Sequence, residues 1–172
     1  MDSAWLDDDQ LAAWVRLVAV VELLPGVLDT QLRRDAGLTH YDYLTLAMLS
    51  EAPDHTLRMT DLARQTNATL PRLSHVVQRL ETRGLLERFP CPSDRRATNA
   101  RLTTAGWATV QSAAPGHAAT VRKNVIDALT PEQIAQLRAI SDAVLSRLDP
   151  HAVLRGNYTR YDRGGPPSLP KA

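Results

Sequence analysis

Apolar residues recur at helical spacing through the N-terminal part of the chain. They are separated by steps of three, four or seven, a heptad-like pattern typical of a helix that packs along a partner helix. Pro25 occupies a position in the same seam and predicts a kink. An ordinary core helix has the same period, so both interpretations stay open. The seam comprises Leu11, Trp14, Val18, Val21, Leu28 and Leu32.

Further helices are predicted from their caps. Thr39 and Asp42 have the spacing of a capping box for a helix that runs to about Glu51. A long helix is expected after Thr103, with an interruption at Pro115.

The last predicted helix begins at Thr130, which is followed by proline at the first helical position and by Gln133 as its capping-box partner. It has one apolar face, made of Ile134, Leu137, Ile140, Val144 and Leu148. The tail after Pro150 is rich in glycine and proline near its end and is predicted to be disordered. The alternative is a basic arm formed by Arg155, Arg160 and Arg163.

Two short helices in tandem are predicted in the middle of the chain. Thr60 is expected to cap a helix over 61–66, and Thr69 to cap a second helix that stops at Gly84. The connection is three residues long and begins at Asn67. Two short helices joined by such a turn form a helix-turn-helix.

A β-hairpin is predicted directly after these two helices. Residues 85–89 and 97–102 are expected to be strands joined by a turn-rich loop over 90–96. Because a two-stranded hairpin is marginal alone, it must pack against the helices. The predicted fold class is therefore mainly α with a small β-hairpin wing: a winged helix-turn-helix flanked by N- and C-terminal helices.

The second helix of the pair has a polar face suited to the DNA major groove. Its apolar side comprises Leu70, Leu73, Val76, Val77 and Leu80, and the other side carries no acidic group before Glu81. Arginine can bind guanine and glutamine can bind adenine through two hydrogen bonds, while serine and histidine contact bases or phosphates. The candidate major-groove residues are Arg72, Ser74, His75, Gln78 and Arg79. A merely solvated helix face is the alternative.

Arginines near the predicted hairpin tip form a second candidate contact. Arg95 and Arg96 can enter a narrow minor groove, whose negative potential attracts arginine, and Asp94 is expected to orient Arg96. The alternative is a solvated turn with an internal ion pair. Candidate contacts to the DNA backbone are Thr60, Thr69 and Arg88.

Charge is distributed unevenly although the net charge is only +1. Residues 1–57 carry ten acidic and three basic groups, whereas residues 58–101 carry nine arginines and four acidic groups. A basic middle segment is the footprint expected of a protein that binds a polyanion. Simple solvation of a surface explains the charge alone equally well.

Composition favours a soluble cytoplasmic protein. A single cysteine, Cys91, excludes an internal disulfide and favours a reducing compartment. The acidic N-terminus lacks the basic segment of a signal peptide. We also expect no membrane helix, since no apolar run approaches the ~20 residues that one needs.

Three segments together resemble the recognition helix and wing of the MarR family. They are VQRLETRGLLER (77–88), SDRR (93–96) and RLTTAG (101–106), and their joint spacing is more specific than a helix-turn-helix alone. The resemblance covers about residues 9–149. It implies a homodimer with interleaved terminal helices, bound to a palindromic site.

By the family pattern, Arg96 enters the minor groove with support from Asp94, while residues 70–79 contact the major groove. Pro115 and the long tail depart from that pattern. The predicted domains are an N-terminal dimerisation helix (1–36), a winged helix-turn-helix DNA-binding domain (37–103), C-terminal dimerisation helices (104–149) and a disordered tail (150–172).

The resemblance also implies a small-molecule effector. Relatives often bind small aromatic or anionic molecules between the dimer helices and the DNA-binding lobe. In this chain such a cleft would involve Trp14, His40, Tyr41 and Tyr43. Core packing or capping is the alternative role of these residues.

The predicted function is that of a sequence-specific double-stranded DNA-binding transcriptional regulator, with repression as the expected mode and relief by a small molecule. The histidines lack the spacing of a metal site, and no phosphate loop or nucleophile–base pair is evident. We therefore expect no metal, no cofactor and no enzymatic activity. A redox role of Cys91 is a weaker hypothesis. The alternative function is a winged-helix protein–protein adaptor without DNA binding.

Overall fold

The computed structural model describes residues 5–159 and Asp162, with Arg95 described by its backbone alone. Its helices are α1 (Asp8–Ala36), α2 (His40–Glu51), α3 (Met59–Gln65), α4 (Leu70–Thr82), α5 (Thr104–Asn124), α6 (Pro131–Leu148) and α7 (Arg155–Thr159). Its strands are β1 (Thr56–Arg58), β2 (Leu86–Cys91) and β3 (Asp94–Leu102). The predicted fold class, mainly helical with a small wing, is confirmed.

Helix α1 begins at a capping box. The Asp7 carboxylate accepts a hydrogen bond from the Gln10 backbone N–H, and the Gln10 side chain accepts one from the Asp7 backbone. Pro25 lies inside this single helix. Leu28 and Leu32 are buried, whereas Leu11, Trp14 and Val21 of the predicted seam are exposed. Much of the seam is therefore uncovered within one chain.

The composition of α1 contradicts the expectation that no apolar run reaches membrane length. Among the described residues, α1 is long and apolar enough to cross a membrane, with a mean hydropathy of 1.9 over its most apolar window. Length and composition are weak evidence, because core helices and signal sequences have the same properties.

The core lies where α2, α3 and α4 meet the sheet and the adjoining ends of α1 and α5. Fully buried leucines fill it, including Leu32, Leu46, Leu49, Leu62, Leu73, Leu80 and Leu86. The capping box predicted at Thr39 and Asp42 is confirmed. This core fixes α4 against α2, α3 and the sheet, which together form the DNA-binding lobe predicted above.

The described strands form an antiparallel sheet in the order β1-β3-β2. Strand β1 is a finding that the sequence pattern did not predict, because three residues are too few to show an alternation. It also moves the start of α3: the helix begins at Met59 after Arg58, so Thr60 lies in its first turn and is not its cap.

The C-terminal helices differ from the prediction in one respect. Thr103 caps α5, and Thr130 with Gln133 forms the predicted capping box of α6. Helix α5, however, continues through Pro115 without interruption and ends at Asn124. The apolar face of α6 is exposed: the Ile140 side chain is 62% exposed and that of Leu148 is 75% exposed.

The predicted disorder of the tail is wrong for its first part. Residues 150–159 are placed, and Arg155–Thr159 form α7. Arg160 and Arg163, which belonged to the suggested basic arm, lie outside the described residues.

Candidate nucleic-acid interface

Helix α4 is held by the turn in front of it. Asn67 adopts a left-handed φ of 49°, which asparagine tolerates better than most residues. The backbone N–H of Ala68 then bonds to the carbonyl of Ala63, and the Thr69 hydroxyl accepts a bond from the Arg72 backbone. The predicted N-cap is therefore confirmed, and α4 begins at a defined angle to α3.

The predicted division of α4 into two faces is largely confirmed. Leu73, Val76, Val77 and Leu80 are buried. Leu70 was placed on the same apolar side but is 43% exposed, because it lies at the first position of the helix, beyond the edge of the core. His75 and Gln78 are exposed and Ser74 is half-buried.

Arg72 is exposed but is not free of contacts. Its guanidinium carbon lies 4.9 Å from the centre of the Tyr41 ring, a cation–π arrangement. The Tyr41 hydroxyl in turn donates to the Thr66 hydroxyl, 2.9 Å away. Helix α2 thus supports the outer face of α4 near its beginning.

Arg79 is engaged by a buried carboxylate. Its Nη2 donates to Oδ1 of Asp42, whose side chain is only 3% exposed, while the Arg79 side chain is half exposed. The other oxygen of Asp42 accepts the backbone N–H of Thr39 at 2.9 Å. Of the proposed major-groove residues, Arg79 is therefore the one whose hydrogen bonds join α4 to α2.

Arg88 joins the end of α4 to the wing. The two oxygens of Glu81 accept hydrogen bonds from the Arg88 backbone N–H at 3.0 Å and from its guanidinium at 2.9 and 2.6 Å. This ion pair holds the pKa of the Glu81 carboxyl below its usual value. The paired guanidinium keeps part of its surface exposed.

The hairpin turn is tighter than the predicted loop over 90–96. Cys91 pairs with Asp94 across a two-residue turn, and Pro90 pairs with Thr98, so the residues between Asp94 and Thr98 form an irregularity in β3. Arg95 and Arg96 consequently lie in the strand just after the tip. The side chain of Arg95 lies outside the described residues.

Asp94 supports Arg96 through the backbone. Its Oδ1 accepts a hydrogen bond from the Arg96 N–H at 3.1 Å, which fixes the strand direction after the turn. From β1, Nη2 of Arg58 reaches the Ser93 hydroxyl at 3.4 Å. Both contacts hold the tip while the Arg96 side chain is exposed.

A recess of about 210 Å³ lies between α4 and the wing, which is the hairpin of β2 and β3. Four predicted contact residues from α3, α4, β2 and β3 line it together, which no local pattern could show. They are Thr60, Ser74, Arg88 and Arg96, and their neighbours are Met59, Leu70, Ala97 and Thr98. Two guanidinium groups beside hydroxyl groups are suited to bind a phosphate oxygen. Thr69, the N-cap of α4, does not line this recess.

The predicted effector residues are not gathered in one cavity. Trp14 is 54% exposed on α1, and Tyr41 contacts Thr66 and Arg72. The His117 ring from α5 lies 6.1 Å from that of His40 and 4.6 Å from that of Tyr43. His117 was missed, since nothing in its local sequence connects it with α2.

Burial affects both histidines of this cluster. Burial lowers the pKa of His40, and the Asp29 carboxylate partly offsets this by raising it. Burial also lowers the pKa of His117, and the charge of His40 lowers it further. The Nδ1 atoms of both rings are buried without a hydrogen-bond partner in the structure.

Cys91 is buried in the wing, in contrast to the exposed thiol that redox sensing favours. A hydrogen bond with the Ser93 hydroxyl lowers the pKa of its thiol. Within the described residues, no group of three or more histidine, cysteine or carboxylate side chains is arranged to hold a metal ion.

The fold and this surface define a winged helix-turn-helix protein with long flanking helices. The family model described as MarR family matches residues 38–98. Sco3205 from Streptomyces coelicolor, a MarR family transcriptional regulator crystallised in complex with DNA, is 43% identical; the similarity covers 84% of this chain and 94% of that one, with a TM-score of 0.80. The chain therefore belongs to the MarR family of transcriptional regulators.

Two further relatives agree. AbsC, a MarR family transcriptional regulator from Streptomyces coelicolor, is 40% identical over 90% of this chain and 99% of that chain, with a TM-score of 0.79. The HTH-type transcriptional repressor YetL of Bacillus subtilis is 32% identical over 81 residues, 47% of this chain, and the match spans about half (48%) of that relative's length. Membership in a family of regulators confirms the prediction that the protein is not an enzyme.

Proposed function

We propose that this protein is a sequence-specific DNA-binding repressor that acts as a homodimer on a palindromic operator in the cytoplasm. The observation that carries the proposal is the exposed face of α4. It presents Arg72, His75 and Gln78, with no acidic residue in α4 before Glu81, beside a recess lined by Arg88 and Arg96. The polar side chains of α4 are suited to bind base edges, and the two neighbouring arginines are suited to bind the adjacent phosphates.

The roles of individual residues follow from their surroundings. His75 and Gln78 are exposed and suited to contact bases, with Arg72 held over Tyr41 beside them. Ser74, Thr60 and Arg88 are suited to phosphate contacts from the recess, as is Thr69 from the start of α4. Arg96, with Arg95 before it, would enter the minor groove.

The homodimer is supported by apolar surface that one chain leaves uncovered. Many large apolar side chains of α1 and of the α6 face described above are exposed in one chain, and contiguous apolar surface marks an interaction site. A dimer places two α4 helices on one duplex, which is the basis of a palindromic site. A partner helix also explains the apolar composition of α1 without a membrane.

Relief by a small aromatic or anionic effector is the remaining part of the proposal. Its support is the cluster of His40, Tyr43 and His117 between α2 and α5, where two ring nitrogens are buried without partners. A ligand that donates or accepts there would connect the dimer helices with the DNA-binding lobe.

The test is selection of bound sequences from random double-stranded DNA, followed by titration of the selected site. We expect an inverted repeat, and we expect Arg96→Ala to weaken binding by about ten- to a hundredfold, as loss of one groove contact does. Arg122→Ala, at an exposed α5 arginine paired with Asp127, is the matched control. Enrichment of no sequence would favour the protein–protein adaptor, and unchanged binding by Arg96→Ala would exclude the wing from the mechanism.

A further inference from the structure

The segment after α6 folds back onto the helix-turn-helix. This C-terminal segment (residues 149–159) begins with Asp149, whose carboxylate accepts hydrogen bonds from the backbone N–H groups of Val153 at 2.7 Å and Leu154 at 2.8 Å. The same carboxylate lies 3.4 Å from the Tyr158 hydroxyl. Asp149 thereby sets the direction in which α7 leaves α6.

The side chain of Asn157 joins this segment to the helix-turn-helix. Nδ2 of Asn157 donates to the carbonyl oxygen of Gln65 at 2.7 Å. Gln65 is the last residue of α3, where carbonyls lack partners within the helix. The bonds of the following turn use the carbonyls of Leu62, Ala63 and Arg64, so the carbonyl of Gln65 accepts its bond from α7 instead.

An open space separates neighbouring parts of the two segments. A cavity of about 670 Å³ lies between the two parts, lined on one side by the α3–α4 turn and on the other by the end of α6 and the C-terminal segment. The turn side includes Arg64, Asn67 and Thr69, and the opposite side includes Leu145, Leu148 and Leu154. Dense packing does not fill this space, so the Asn157 bond is a specific link between the C-terminal segment and the end of α3.

We propose that Asn157 is a positioning residue for DNA recognition. Its hydrogen bond fixes the carbonyl at the end of α3, and hence the turn that carries Thr69 and the beginning of α4, relative to α6. The inference rests on the proposed function, because it concerns the angle at which α4 enters the major groove. It assigns to the C-terminal segment a role that is separate from direct contact with phosphates.

The experiment compares full-length variants on the selected site and on unrelated DNA of the same length. Asn157→Asp replaces the donor by a charged acceptor of equal size. It should lower affinity for the selected site about three- to tenfold more than affinity for unrelated DNA, the worth of one hydrogen bond. The added charge acts on both DNAs alike, so the ratio of the two affinities is the readout. Gly156→Ala, where an added Cβ meets open space, should bind like the parent protein.

Two further variants distinguish the alternatives. Asn157→Gln keeps the amide donor and should recover part of the lost affinity, whereas Arg155→Gln removes the neighbouring cation. The inference would be overturned if Asn157→Asp preferred the selected site as strongly as the parent protein does. It would also be overturned if the variant lost affinity equally for both DNAs and had a lower melting temperature. A third contrary result would be a reduced salt dependence of binding in Arg155→Gln while Asn157→Asp binds like the parent protein. That result would indicate a basic arm that contacts phosphates. Failure of the parent protein to prefer any site would instead refute the proposed function.

Discussion

Asp42 connects the start of α2 with α4 through one carboxylate. It belongs to the capping box of α2 through Thr39, and it accepts the guanidinium of Arg79 from α4. A charged group that is almost fully buried is costly unless it is paired and hydrogen-bonded. The position of the recognition helix therefore depends on a pair in which Arg79 has a structural task.

The first prediction concerns this pair. Arg79→Ala leaves the buried carboxylate without its cation and should lower the free energy of unfolding by about 1–3 kcal/mol. A double-mutant cycle with Asp42→Ala should give a coupling of about 1–3 kcal/mol. The exposed pair of Arg101 and Glu87 should give less than about 1 kcal/mol in the same denaturant measurement. Unchanged stability with an altered base preference would show instead that Arg79 contacts bases.

The second prediction concerns pH. Burial lowers the pKa values of His40 and His117 in the folded state, so the unfolded chain binds more protons below the ordinary value of 6.5. The free energy of unfolding should be highest above this pKa. It should fall as the pH decreases through this pKa and should level off below the lowered pKa values of the folded state. His117→Gln should flatten this part of the profile of unfolding free energy against pH. An equally steep profile in the variant would show that other groups cause the loss.

Residue by residue, the sequence predicted contacts only where they are local. The caps at Thr39, Thr69 and Thr130 depend on neighbours three positions away, and they are present. The partners of Arg79 and Arg88 were not predicted, because Asp42 is distant in sequence and Glu81 meets Arg88 only after the chain turns. The same reason concealed His117.

The elements of the lobe are joined at Gly106, near the start of α5. A Cβ at this position would lie 1.9 Å from the carbonyl oxygen of Leu85 and 2.8 Å from a methyl group of Leu102. The same carbonyl accepts the Thr103 backbone N–H at 3.1 Å, and the Thr103 hydroxyl donates to the Gly84 carbonyl at 2.7 Å. The first turn of α5 therefore lies directly against the backbone between α4 and β2.

The third prediction is that Gly106→Ala separates these elements. The clash is with backbone, which cannot move aside as a flexible side chain does, and we expect a loss of more than about 2 kcal/mol in the free energy of unfolding. Thermal and denaturant unfolding measure it. Gly26→Ala, in α1 where no atom lies within 4 Å of the added Cβ, should be neutral or stabilising. A stable Gly106→Ala protein would mean that α5 is not tightly seated.

Whole elements were predicted best where their pattern is long. The stripe of α4 and the capped start of α6 are repeated signals, whereas β1 is only three residues and exists through its pairing with β3. Pro115 was expected to interrupt α5, but the helix continues past it. Gly116 follows in close contact with Gln31 and Asp35 of α1, so packing between the two helices outweighs the local preference.

At the scale of the molecule, the described residues of one chain leave two surfaces exposed. One is the basic side formed by α4 and the wing, and the other is the apolar side formed by α1 and α6. Covering an apolar side chain of this size contributes about 1.5–3 kcal/mol, so several of them together can hold two chains in association. If the duplex needs two recognition helices, disrupting the apolar side must weaken binding at the basic side.

The fourth prediction tests this connection with one charge in two places. Ile140→Glu puts a carboxylate in the middle of the apolar face of α6 and should give monomers by sedimentation velocity, with affinity for the selected inverted repeat reduced more than tenfold because the second lobe is no longer attached. Ala139→Glu puts the same charge on the opposite, solvent-facing side of the helix and should preserve both properties. Because Ile140 is 62% exposed in the single chain, the fold of each subunit should survive the substitution, and the circular dichroism spectrum should confirm it. Dimers that persist in Ile140→Glu would place the contact between subunits elsewhere, and monomers that still bind the full repeat with parent affinity would show that one lobe alone carries recognition.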